Sequence, residues 1–107
     1  MHQGVIPLLD KVIKEAESLL GMSTENVLRE GLKKLLSSKV EENNEVIENL
    51  RKKYGVSNYQ ELEEKIREGE LPGHPAWEDV ILWEELSRHN EALRRLIRQL
   101  EAGRVVS

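Results

Sequence analysis

Residues 36–50, LSSKVEENNEVIENL, and residues 83–97, WEELSRHNEALRRLI, decide the fold. The first stretch carries a ladder of Leu36, Val40, Asn43, Ile47 and Leu50, the second a ladder of Trp83, Leu86, Asn90, Leu93 and Ile97. Both advance by alternating steps of three and four residues, which keeps one side of an α-helix turned toward one partner. Run antiparallel, the rungs pair as Leu36–Ile97, Val40–Leu93, Asn43–Asn90, Ile47–Leu86 and Leu50–Trp83. The single polar rung of each ladder then falls opposite the other. This matching predicts an all-α protein built on a long antiparallel helical hairpin. The asparagine pair serves as a register device that exchanges some stability for a unique alignment.

Working outward, Pro7–Leu20 is expected as a first helix, with Pro7 in the first turn and an apolar stripe of Leu9, Val12, Ile13, Ala16, Leu19 and Leu20. Gly21 ends it, and Ser23 or Thr24 caps a second helix that reaches Tyr54. The stripe of helix 2 begins as Val27, Leu28, Leu32 and Leu35 and shifts phase at Leu35–Leu36. Its first half is therefore expected to face helix 1 and its second half helix 4, with Gly31 marking a close helix crossing. Ser57 and Gln60 fit a capping box that opens a short helix 3, with Leu62 and Ile66 inward, running to about Glu68 before Gly69. The last helix is expected from Pro75 to about Ala102, stopped by Gly103. The chain is read as a single helical domain, with 1–36 a helix-turn-helix unit and 37–107 the hairpin with helix 3 in its connection. Trp77, Val80, Ile81, Leu96 and Leu100 widen the stripe of helix 4 beyond what one partner helix covers, which predicts a homodimeric helical bundle.

Composition narrows the function. The 107 residues include no cysteine, so thiol catalysis, thiolate metal sites and disulfides are excluded. No apolar run approaches the ~18 residues of a membrane span, and the N-terminus carries no signal-peptide pattern, so the cytoplasm is the expected compartment. The weight of Glu, Lys and Arg is a compositional trait of thermophilic proteins. Net charge is −4, unevenly spread: residues 56–93 hold ten acidic and three basic side chains. The segment from Arg94 onward is basic. All four aromatic residues, Tyr54, Tyr59, Trp77 and Trp83, fall between residues 54 and 83, at the turn end of the hairpin. They form either a small satellite core around helix 3 or an exposed recognition patch.

Few constellations carry chemistry. Glu41-Glu42-Asn43-Asn44-Glu45 resembles the EExxE half of the metal motif of all-α nucleoside triphosphate pyrophosphatases, where carboxylates one turn apart hold Mg²⁺. The ExxD half of that motif is absent. His74 lies near Glu78, and Glu85 one turn before His89, but neither spacing is a di-iron pattern. The sequence contains no nucleophile–base arrangement, phosphate loop or zinc spacing, so no catalytic residue, metal ligand or cofactor is assigned.

Gly21, Met22, Ser23, Val27, Leu28, Arg29, Glu30, Leu32 and Leu36 resemble the two helices of ribbon-helix-helix repressors, which dimerise through those helices and read DNA with a preceding strand. Here that strand would have to come from Met1–Ile6, which has no Lys or Arg. The stretch Lys53-Tyr54-Gly55-Val56-Ser57-Asn58-Tyr59-Gln60-Glu61-Leu62, with Gly69-Glu70-Leu71-Pro72, His74-Pro75-Ala76-Trp77-Glu78-Asp79 and Trp83-Glu84, is similar to small archaeal antitoxin-like proteins of toxin–antitoxin pairs. That resemblance implies a binding protein, not an enzyme, whose acidic part holds a small toxin-like protein. The expected contacts are Tyr59, Trp77, Glu78, Asp79, Trp83 and Glu84 with a small basic partner. The alternatives are a Mg²⁺-dependent pyrophosphatase using Glu41, Glu42 and Glu45, and a DNA-binding regulator using Arg29, Lys33, Lys34, Arg94, Arg95 and Arg98.

Overall fold

The computed structural model describes residues 5–106, with side chains from 7 to 103. Four helices follow one another: α1 (Val5–Leu20), α2 (Thr24–Tyr54), α3 (Tyr59–Arg67) and α4 (Gly73–Val106). No strand occurs among the described residues, and the class is all-α. The chain divides into two compact units, Met1–Leu35 and Leu36–Ser107, at the point where the apolar stripe of α2 changes phase.

In the first unit, α1 already includes Val5 and Ile6, which places Pro7 inside the first turn, where its missing N–H has no intrahelical partner to lose. Gly21 takes φ +64°, and the Met22 N–H reaches back to the Glu17 carbonyl at 3.1 Å, closing the helix in a Schellman turn. Ser23 is the cap of α2, its Oγ accepting from the Asn26 N–H at 3.2 Å. The expected facing of α1 and the first half of α2 is not realised as burial. Ile13, Ala16, Met22 and Val27 are half-buried, whereas Leu8, Leu9, Val12, Leu19, Leu20, Leu28, Leu32 and Leu35 are exposed, Leu19 at 86%. Gly31 marks no close crossing among the described residues of this unit, since a Cβ built there meets nothing within 4 Å.

The second unit is the hairpin. All ten ladder residues are buried or half-buried, and the asparagine rung is formed: Asn43 Nδ2 donates to Asn90 Oδ1 at 2.9 Å. Asn90 Nδ2 donates in turn to Asn44 Oδ1 at 3.0 Å, and Asn43 Nδ2 also lies 3.1 Å from His89 Nδ1. With its two N–H groups, the Asn43 amide serves both acceptors, which makes Nδ1 the accepting nitrogen of His89. Among the described residues no buried side-chain nitrogen or oxygen lacks a partner, so this polar layer avoids the penalty of an unmade bond.

Beyond the polar rung the core widens. Ile47 and Leu50 of α2, Val56, Leu62 of α3, and Val80 and Trp83 of α4 pack as one cluster, with Tyr54, Tyr59, Ile66, Leu71 and Leu86 against it. Gly55, at φ +63°, lets the chain leave α2 with the Val56 N–H bonded to the Arg51 carbonyl at 3.2 Å. Helix α3 then plugs the end of the seam with Leu62, which is wholly buried. The capping frame is one residue later than the sequence suggests. Asn58, not Ser57, caps α3, its Oδ1 accepting from the Glu61 N–H at 2.9 Å, and the Glu61 carboxylate accepts from the Ser57 N–H at 3.1 Å. Both frames have suitable residues, and tertiary contacts settle the choice: Val56 is buried, and the Ser57 carbonyl is occupied by Arg51 Nε at 3.0 Å. In α4, His74 has extended backbone (φ −111°, ψ 129°), so the regular helical run starts at Pro75 as the sequence suggests, but it continues through Gly103 to Val106.

Candidate functional site

The start of α4 carries the residues expected to meet a partner, and the structure sorts them into two groups. Trp83 is a core residue, 2% exposed, with the Arg51 guanidinium 5.8 Å from its ring centroid. Asp79 is committed internally: it accepts from the Tyr54 hydroxyl and from Lys53 Nζ, the latter at 3.0 Å. Burial alone would raise the Asp79 pKa, but the hydrogen bonds from Tyr54 and Lys53 and the Lys53 charge outweigh it, and the carboxyl is held below its ordinary value. Burial and the bond to Asp79 push the Tyr54 phenol up. This trio fastens the last turn of α2 to α4, a role invisible in the sequence because Tyr54 and Asp79 are 25 positions apart. Tyr59 is half-buried against the core, and Glu84 is half-buried. The aromatic residues therefore divide, with three building the satellite core and one, Trp77, standing outside it.

Trp77 is 38% exposed and Glu78 beside it is open to solvent, bonded to His74 Nδ1 at 2.6 Å. Gly73 makes room for the indole, since a Cβ there would lie 3.1 Å from Trp77 Cδ1. One turn on, Ile81 and Leu82 are exposed, and Glu85 follows at the next turn. Trp77, Glu78, Ile81, Leu82 and Glu85 thus form an exposed strip in which large apolar side chains alternate with acids. Leu82 carries no signal in the sequence, because a ladder reading assigns it to neither seam nor site.

The residues proposed for nucleic acid fall in different units, with Arg29, Lys33 and Lys34 in the first and Arg94, Arg95 and Arg98 in the second. Arg29 is engaged by Glu25 at 2.6 Å and Asn26 at 2.8 Å, and Lys33 lies 3.8 Å from Glu30. Met1–Gly4, where the strand of a ribbon-helix-helix protein would sit, lie outside the described residues, and Val5 and Ile6 are helical. Glu41, Glu42 and Glu45 are exposed on α2, and Glu42 lies 3.5 Å from Lys39. Among the described residues no three His, Cys, Asp or Glu side chains converge as a metal site would require. No helix of those residues is long and apolar enough to cross a membrane.

The family model described as the Uncharacterized protein MJ0235 family matches residues 3–105. The chain belongs to that family. The match spans nearly the whole chain, so the exposed N-terminal helices and the hairpin are both parts of the family's pattern. No curated protein and no solved structure matches the chain.

Proposed function

We propose that this chain is a non-enzymatic binding protein of antitoxin-like type, which holds a small basic protein on the exposed strip at the start of α4. The observation that carries the reading is the exposure of Trp77, Ile81 and Leu82 beside Glu78 and Glu85. Tryptophan is among the residue types enriched as interface anchors. The surrounding acids suit a basic partner by steering its approach and rejecting acidic ones. The segment 56–93, with ten acidic and three basic residues, supports the same sign of partner. Trp83 and Asp79 are left out of the contact set because the fold already uses them.

The N-terminal unit supports a second element of the reading, that the chain associates with a copy of itself. Eight large apolar side chains are exposed between Leu8 and Leu35, more than scattered surface residues account for. Residues 5–35 carry five acidic and five basic groups, so two copies can face one another without net repulsion. A second copy is the occupant this neutral, mixed surface suits.

The deciding experiment is an affinity capture from nuclease-treated lysate, run in parallel with the full chain and with its Trp77→Ala/Glu78→Ala form. A small basic protein recovered in near-equal amount with the former and lost with the latter is the expected result. Recovery of the chain alone, or equal capture by both forms, overturns the reading.

A further inference from the structure

One flank of the hairpin, within the second unit, holds an open groove of about 340 Å³. Asn44 and Arg51 of α2 form one wall, and Ser87, Asn90 and Arg94 of α4 the other. Residues 57–60, the cap and first turn of α3, close the end. The volume lies at the small end of the range for small-molecule sites, ~300–1,000 Å³, but the lining is polar where such sites are mostly apolar.

Two arginines make the groove more than a gap between helices. Arg51 is positioned before any ligand arrives. Its Nε donates to the Ser57 carbonyl, its Nη1 donates to Glu48, and its guanidinium lies by the Trp83 ring, which leaves Nη2 uncommitted among the described residues. Arg94 is exposed and bonded to no carboxylate among the described residues. Arg94 lies one turn after Asn90, whose buried amide is bonded to both Asn43 and Asn44. At the closed end, the Tyr59 and Gln60 amides belong to the first turn of α3 and have no intrahelical acceptor, and the helix start adds partial positive charge. Glu91 also lines the groove and limits its net positive charge.

We infer that this groove binds the oxyanion group of a small molecule, a phosphate or a carboxylate, between Arg94 and Arg51 with the first turn of α3 beneath it. The fork of a guanidinium matches both groups, and charge-assisted bonds are the strong ones. The inference concerns a different surface from the α4 strip, and neither reading depends on the other.

The test is a titration of the ¹⁵N-labelled full chain with inorganic phosphate, citrate and adenosine monophosphate in turn, followed by NMR. The expected result is saturable movement of the Ser57–Gln60 amides and the Arg94 Nε resonance, with Kd below about 1 mM for at least one probe. Arg94→Ala weakens that probe by about tenfold or more, the loss expected for a bond to a charged group. Arg95→Ala removes the same charge from an exposed neighbour that does not line the groove, and leaves binding unchanged. Tightest binding of adenosine monophosphate assigns an organic phosphate, of citrate a carboxylate, and equal binding of phosphate and adenosine monophosphate a free phosphate. No saturable movement with any probe, or equal weakening by the two arginine variants, overturns the inference.

Discussion

The two units use the same kind of sequence, amphipathic helices rich in leucine and in Glu and Lys, with opposite results. Leu36–Ser107 buries its ladder, seals the end with Leu62 and satisfies its one polar layer. Among its described residues, Met1–Leu35 leaves eight large apolar side chains in solvent. The difference teaches that an amphipathic pattern specifies that a face must be covered, not by what. A third element, α3, and a polar register pin let the hairpin cover its own ladder. The N-terminal unit has neither, and its apolar stripe stays largely exposed.

The sharpest way to break this contrast is to truncate one leucine in each unit. Leu62→Ala, at a wholly buried site, is expected to cost about 2–5 kcal/mol in urea unfolding. Leu19→Ala, 86% exposed, is expected to change stability by less than about 0.5 kcal/mol at concentrations where the chain is monomeric. Equal losses would mean that the N-terminal unit has a core of its own. The polar rung comes next in size. Asn43→Ala strips Asn90 Oδ1 of its donor at a buried position and should cost about 1–3 kcal/mol. Asn43→Leu with Asn90→Leu removes both needs together, and should be less destabilising than the sum of the single changes in a double-mutant cycle.

A smaller effect of about 1 kcal/mol is expected at the Asp79 clasp. Because the folded pKa of Asp79 is lowered, its contribution is present above the unfolded value of about 3.9 and fades as pH falls through the folded value. Asp79→Asn should therefore lie below the parent chain in melting temperature at neutral pH, with the gap closing in acid. A gap independent of pH would mean that the contact is steric. The smallest effect sharpens the comparison most. Gly31→Ala should stabilise the monomer by about 0.5–1 kcal/mol, since Gly31 sits in open space in mid-helix. If two copies cross at that glycine, the same change lowers self-association in sedimentation. Unchanged association places the contact elsewhere on the unit.

Much of the hairpin was legible because its information is periodic. Ladders that step by three and four, with one asparagine each, determine partner, direction and register together, and the Asn43–Asn90 bond realises them. Helix ends were legible where backbone chemistry decides, as at Gly21 and Gly55. The α3 cap was not, because Ser57 and Asn58 are equally competent and only the burial of Val56 and the Arg51 contact separate them. The expected partner patch was half legible. Composition gathers aromatics and acids near α4 but cannot say that Trp83 turns inward while Trp77, six residues earlier, turns out.

By itself the sequence determined the all-α class, the antiparallel pairing of α2 with α4 and its register, because helical periodicity is a local property that the chain carries wherever it goes. Only the tertiary structure decided which acids remain available and which are spent on clasps such as Asp79. It also decided that Arg51 is fixed beside a groove and that the N-terminal stripe stays uncovered. Those outcomes depend on distances between residues far apart in the chain, and periodicity does not encode them.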